Sequence, residues 1–296
     1  MDTFFQLLLS GIAQGCVYGL VAIGFVLIYK ATEMVNFAQG DIMMLGAFIT
    51  ITLINHLDWN YFLAVVTAIG AMGLFGLALE RVLLRRMIGE SPFAVLMVTI
   101  GLGFVLRSVA GMIWGHDSQS ILTPYTDLPP LRFGEVVFPV ADVVVVGATV
   151  VLCGLTFLFF RYTRFGVAMQ ATSQNQLAAS YVGISVKRVV GVSWELAAAF
   201  AAIAGILLLP LKSAYPHVGL VLGIKAFAAA IVGGFGSLPG AMIGGLAIGL
   251  VEIFTKYWID DIVQFSVSET SVYILLLLML IVRPSGIFTS MQRKKV

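Results

Sequence analysis

The sequence predicts an all-α protein that crosses a membrane repeatedly, and three observations carry that prediction. Of 296 residues, 60% are hydrophobic and only 11% charged, where a soluble domain carries about a quarter charged residues. The apolar residues are gathered into runs, most of them close to the ~20 residues that one helical crossing needs. The arginines and lysines collect in alternate gaps between those runs, the distribution expected when one side of a membrane retains basic loops. The formal charge of +2 is too small to suggest a nucleic-acid partner.

Taken in order, residues 5–29 form the first span, with Gly11, Gly15 and Gly19 at the four-residue spacing that lets another helix approach closely. No basic segment precedes this run and no convincing cleavage site follows it, so it reads as a retained span rather than a secretory signal. Residues 30–41, KATEMVNFAQGD, are too polar for lipid, yet they lead straight into the apolar run 42–54. They fit a short turn, or backbone that lines a cavity. Residues 61–84 span next and end in Glu80, Arg81, Arg85 and Arg86, with Glu80 set to anchor one of the arginines. Pro92 opens a span to residue 114 in which Arg107 must be paired or reach an interface.

Residues 115–139 form the longest loop on the opposite side, with four prolines and a single basic residue, Arg132. Residues 140–160 cross back. After the interruption 161–188 come spans at 190–209, 219–232, 241–258 and 271–282. Counting back from Arg283, Arg293, Lys294 and Lys295 gives nine hydrophobic segments, with every basic cluster on one side and the N-terminus on the other. Eight to ten crossings follow, depending on whether either of two breaks re-enters. Those breaks lie at 35–46 and 233–245, comparable places in the two halves, a pattern expected of transporters with a pathway between related halves. In the second, Ser237-Leu238-Pro239-Gly240 reads as a true interruption, because proline lacks a donor. Gly244 and Gly245 read instead as helix-packing residues.

The interruption 161–188 is the most informative stretch. Ser173-Gln174-Asn175-Gln176 has the form of a capping box, Ser173 and Gln176 satisfying each other's amides. Gly183 is suited to the left-handed conformation that ends a helix, which predicts a helix over 174–182. On it Leu177, Ala178, Tyr181 and Val182 share one stripe, and Asn175, Gln176, Ala179 and Ser180 lie opposite. So short a helix needs support, either from its own protein or from a cytoplasmic partner; periodicity leaves both open.

The chemistry the sequence lacks narrows the function. It contains no G-x-x-x-x-G-K-[ST] phosphate loop. His56, His116 and His217 are isolated, Cys16 and Cys153 sit in apolar runs outside any C-x-x-C pattern, and no Ser/His/Asp set shares a local frame. No catalytic, metal or cofactor site is predicted.

Ala178-Ala179-Ser180-Tyr181-Val182-Gly183 resembles the A-A-x-x-x-G core of the coupling loop of ATP-binding cassette importers, with Leu177 where glutamate is most common. The frame Arg164-Phe165-Gly166-Val167-Ala168-Met169-Gln170-Ala171, the segment Val35-Asn36-Phe37-Ala38-Gln39-Gly40, Thr99-Ile100-Gly101, Lys225-Ala226-Phe227 and the run GGFGSLPGAMIGG resemble the permease subunits of branched-chain amino acid transporters of the LivH type. The resemblance extends from the first span to Pro284. It implies one transmembrane domain over residues 1–296 in a bacterial inner membrane. ATP hydrolysis would reside in two cytoplasmic ATPase subunits, engaged through Ser173, Gln176, Leu177, Ala178, Ala179, Tyr181 and Gly183. A periplasmic amino-acid-binding protein would deliver substrate, and a second permease, favoured as a different LivM-type chain, would complete the pore. Glu33, Asn36, Phe37, Gln39, Lys225, Phe227, Ser237 and Pro239 are the candidates for the translocation path. Related importers of amides, urea or other amino acids share this permease type. The competing reading is an autonomous ion-coupled carrier or channel, in which Glu33, Asp41, Lys225 and Glu252 would form one site at membrane depth.

Overall fold

The computed structural model describes residues 2–87, 90–121, 123–126, 128–133, 136–263 and 266–288. Arg293, Lys294 and Lys295, on which the orientation of the C-terminus was counted, lie outside the described residues. Nine apolar helices are present among those described: α1 (Asp2–Thr32), α2 (Gln39–Asn55), α3 (Tyr61–Val82), α4 (Pro92–Trp114), α5 (Val140–Tyr162), α8 (Val186–Leu208), α9 (Val218–Gly233), α10 (Leu238–Thr255) and α12 (Val267–Val282). Six segments are long and apolar enough to cross a membrane, and α2, α9 and α12 are shorter at 17, 16 and 16 residues. The interruption after α5 holds α6 (Arg164–Gln174) and α7 (Gln176–Tyr181), and a short α11 (Asp261–Val263) precedes α12. Outside the helical pattern, β1 (Leu131–Phe133) and β2 (Val136–Phe138) form a small antiparallel hairpin.

The bundle is arranged around α1. Its most apolar window is 94% buried, against 28% in α3 and α4 and 11% in α5, so α1 is an axis and those three helices face outward. The glycine spacing explains how α10 reaches it. A Cβ added at Gly15 would lie 2.7 Å from the Leu246 Cα and 2.9 Å from the Gly245 carbonyl oxygen, so the two backbones touch with no room for a side chain. Gly245 therefore packs helices, as its sequence context suggested. Small residues also bring α8 close to its neighbours: Ala197, Ala201, Ala202 and Ala204 are fully buried, and a Cβ added at Gly24 of α1 would lie 3.2 Å from the Ala197 carbonyl oxygen.

Both breaks are narrower than the sequence implied. The first is the non-helical segment between Thr32 and Gln39, entered through Glu33 at φ 57°, while Gly46 lies inside α2 against Ala202. The second is confined to residues 234–237. Pro239 does not interrupt a helix; it lies in the first turn of α10, where its missing N–H costs nothing, and Ser237 caps that turn by accepting from the Gly240 amide at 3.1 Å.

The two ends of the bundle are distinct. At one end the C-terminal turn of α1 meets α7, the start of α8 and the break before α10. Glu80 receives Arg85 there through Nε at 3.0 Å and Nη2 at 2.8 Å, the anchor expected of that arginine cluster. At this end also, the amides of Ile287 and Phe288 donate to the carbonyls of Val232 and Gly233. At the other end the loop after α4 is stitched to the loop before α9: Gln119 and Ala214 exchange backbone hydrogen bonds of 2.8 Å each, and Asn55 Nδ2 donates to the Ser120 carbonyl at 3.3 Å.

Candidate functional site

The α6–α7 segment is built differently from the capping box. Thr163 caps α6, accepting from the Gly166 amide at 3.0 Å, and the helix continues through Ser173, whose hydroxyl donates to the Gln170 carbonyl at 2.8 Å. Ser173 is therefore inside a helix rather than before one. The cap of α7 is Asn175, which accepts from the Ala178 amide at 2.9 Å; asparagine serves as well as serine in that role. Gln176 does not fold back onto Ser173. Its Nε2 donates to the Ala31 carbonyl at 2.9 Å and so ties α7 to the C-terminal turn of α1. Gly183 has φ 86° and terminates the helix as expected.

This tether decides which way α7 faces. Ala179 is turned into the protein at 4% exposure, so it supports the helix rather than presenting a surface. Leu177, Tyr181 and Val182 point outward at 70%, 86% and 77% exposure, with Ala178 exposed beside them. The apolar stripe thus stands at one end of the bundle, where charged and polar residues would be the ordinary covering.

The candidate path residues fall into five places. Asn36 and Gln39 are wholly buried and lock the first break: Asn36 accepts from the Ala38 amide at 3.1 Å and donates to Gln39 Oε1 at 3.3 Å, while Gln39 Nε2 donates to the Ala197 carbonyl at 2.9 Å. Phe37 and Phe227 meet with ring centroids 5.0 Å apart and planes tilted by 47°, with Phe25 and Phe235 both 5.7 Å from Phe227 and Tyr29 4.9 Å from Phe235. The Phe37 amide donates to Thr99 Oγ1 at 3.3 Å, which gives the threonine of the third quoted motif a role. Glu33 is exposed at the end of α1. Ser237 and Pro239 stand apart from all of these, beside Lys30.

Lys225 is 2% exposed and donates to Glu252 Oε1 at 2.8 Å; the other carboxylate oxygen accepts from the Tyr18 hydroxyl at 2.7 Å, and Gln14 Nε2 donates to Tyr18 at 2.5 Å. This chain joins α9, α10 and α1. Asp41 has a different partner, Arg107, with Nε 3.0 Å from Oδ1. That Nε–H is spent on the Gly103 carbonyl at 3.2 Å, and Asp41 Oδ1 has no directed hydrogen bond, so the contact is an ion pair alone. The four groups that an ion-coupled site required are therefore split between two closed pairs and an exposed glutamate. The sequence named Lys225 and Glu252 but had no signal for Tyr18 and Gln14, which sit in an apolar run at helical spacing.

Nine apolar helices among the described residues, one of them the buried axis on which the others pack, define a multi-pass membrane protein. Residues 7–283 match the profile of the family described as branched-chain amino acid transport system / permease component. The chain belongs to that family, and as a permease component it is a transport subunit rather than an enzyme. It is 33% identical to the high-affinity branched-chain amino acid transport system permease protein BraD of Pseudomonas aeruginosa and 30% identical to the corresponding LivH protein of Salmonella typhimurium, in both cases over 99% of this chain and 98% of the relative. A solved structure of PsaBC from Streptococcus pneumoniae in complex with Fab aligns over 93% of this chain and 91% of that one, at 15% identity and a TM-score of 0.48.

Proposed function

We propose that this chain forms half of the membrane pore of an importer for branched-chain amino acids, driven by ATPase subunits that dock on α7. The observation that carries the reading is the outward stripe of Leu177, Tyr181 and Val182 on a helix anchored to the central helix through Gln176. An apolar stripe on a rigid stub is suited to a hydrophobic cleft on a partner. Basic residues at that end, among them Arg85, Arg161, Arg164 and Lys187, support a cytoplasmic orientation in the bacterial inner membrane. The loop over residues 115–139 then faces the periplasm, where a binding protein would release substrate.

A second permease, of the LivM type, completes the pore in this reading. Phe37 and Phe227, half-buried between the first break and α9, border the path. Asn36, Gln39 and Lys225 act behind them by holding the break and the helix in place, and Glu33 stands at the cytoplasmic mouth. The substrate class is that named for the relatives above. The test is co-expression of the chain with its partner permease and ATPase subunits. Tyr181→Asp places a charge on the stripe and is expected to abolish ATPase copurification while membrane insertion stays normal. Full copurification and full ATP-driven leucine uptake in that variant would overturn the assignment of α7.

A further inference from the structure

Between α5 and α10, with α1 as its floor, runs a groove of about 460 Å³. Its walls are Ile23, Cys153, Phe157, Met242 and Ile243, and it opens outward, since Phe157 is 58% and Ile243 40% exposed. Lys30 and Ser237 close one end. From Ile23 to Lys30 is seven residues of helix, about 10 Å. The groove is therefore an apolar channel along the spans that finishes in a cation at the end of the bundle carrying α7.

Inside a bilayer an outward-facing apolar channel fills with acyl chain, because water gains nothing there. The polar end selects the headgroup. No aspartate or glutamate lines the groove among the described residues, and none of the ion pairs among them uses Lys30. Ser237 accepts from the Gly240 amide, which leaves its hydroxyl proton available to donate. The 18-residue α10 begins at the same place, and the positive end of its dipole adds to the Lys30 charge. All three features attract a phosphate, and no carboxylate is offered to a headgroup amine. Basic pockets between spans on the cytoplasmic side hold anionic lipid headgroups by this chemistry.

We propose that the groove is a binding site for an anionic phospholipid, with its phosphate at Lys30 and Ser237 and one acyl chain along Ile23, Phe157 and Ile243. Cys153 lines this groove, whereas Cys16 is buried. Its thiol therefore reports occupancy.

The test uses the full transporter, delipidated in detergent and then given phosphatidylglycerol or phosphatidylcholine. Native mass spectrometry is expected to show phosphatidylglycerol retained about fivefold better, the effect of one lysine near the membrane surface. At equal lipid concentration phosphatidylglycerol is expected to slow alkylation of Cys153 more than phosphatidylcholine does. Lys30→Gln removes the preference, Lys30→Arg keeps it, and Ile243→Trp lowers retention of both lipids by filling the channel. Equal retention of the two lipids by the wild type overturns the proposal. So does an unchanged preference in Lys30→Gln, or protection of Cys153 by inorganic phosphate alone, which would make this a free-anion site.

Discussion

Replacing Lys225 with methionine keeps an unbranched apolar stem of similar length and deletes the ammonium, so it isolates the charge at the centre of the α1–α9–α10 junction. In the wild type that ammonium stands 2.8 Å from a carboxylate whose side chain is 7% exposed. Removing one partner of a buried pair leaves the other uncompensated and costs about 3–5 kcal/mol. The loss in Lys225→Met is expected in that range, a factor of more than one hundred in the folding equilibrium. In Lys225→Met/Glu252→Gln no charge remains, and the amide oxygen still accepts from Tyr18; recovery to within about 1 kcal/mol of wild type is expected, the worth of an ordinary hydrogen bond. Reversible unfolding in mixed micelles measures both variants, and the double-mutant cycle gives the coupling. Because Lys225 is enclosed by its partner, uptake by surviving protein should fall by a similar factor for every substrate. A single variant as stable as wild type, a double variant as poor as the single, or a reordered amino acid preference in competition uptake would each refute this account.

Three further outcomes follow from the proposed docking of a partner on α7. Gly183→Val meets no atom within 4 Å of the new Cβ, so only its φ of 86° is strained; a local loss of about 1–2 kcal/mol is expected to weaken ATPase copurification while thermal stability of the bundle stays near wild type. Asn175→Ala removes the cap of α7 and should cost about 1 kcal/mol, seen as faster hydrogen exchange over residues 177–182, whereas Ser173→Ala should leave that exchange unchanged. Single cysteines at Ser120 and Ser180, in a background lacking Cys16 and Cys153, should label from opposite sides of the membrane with an impermeant reagent; labelling of both from one side would overturn the topology.

The number and order of helices were legible in the sequence because membrane spans are written in length and polarity, and both survive folding unchanged. Gly183 was legible for a related reason: a left-handed residue is a local requirement. The capping box failed where two local solutions compete. Ser173 and Asn175 are both good caps, and the choice between them depends on whether the preceding residues are already helical, which Thr163 settles ten residues upstream. Ala179 was counted among the coupling residues by resemblance alone, although periodicity already set it opposite the Leu177, Tyr181 and Val182 stripe; which of the two faces turns inward comes from Gln176 reaching Ala31, a contact across 145 positions. The breaks were placed too broadly because glycine marks both interruptions and close helix contacts, and only the approach of Gly15 to Leu246 or of Gly46 to Ala202 tells them apart.

The distribution of charge within the spans bears on where the energy for transport enters. A carrier that couples substrate to an ion needs ionisable groups that converge on one cavity and can exchange partners. Here Lys225 and Glu252 are enclosed with Tyr18, Asp41 is committed to Arg107 across α2 and α4, and Glu33 lies outside at the end of α1. Each buried group is held by a neighbour on another helix, so these charges fasten the bundle together. What the chain does leave unsatisfied is apolar surface on α7, connected by one hydrogen bond to the end of the helix around which everything else packs. Under the proposed docking of ATPase subunits on α7, a protein whose internal charges are fixed and whose apolar stub stands at the tip of its central helix is arranged to be moved by a partner, not to move itself.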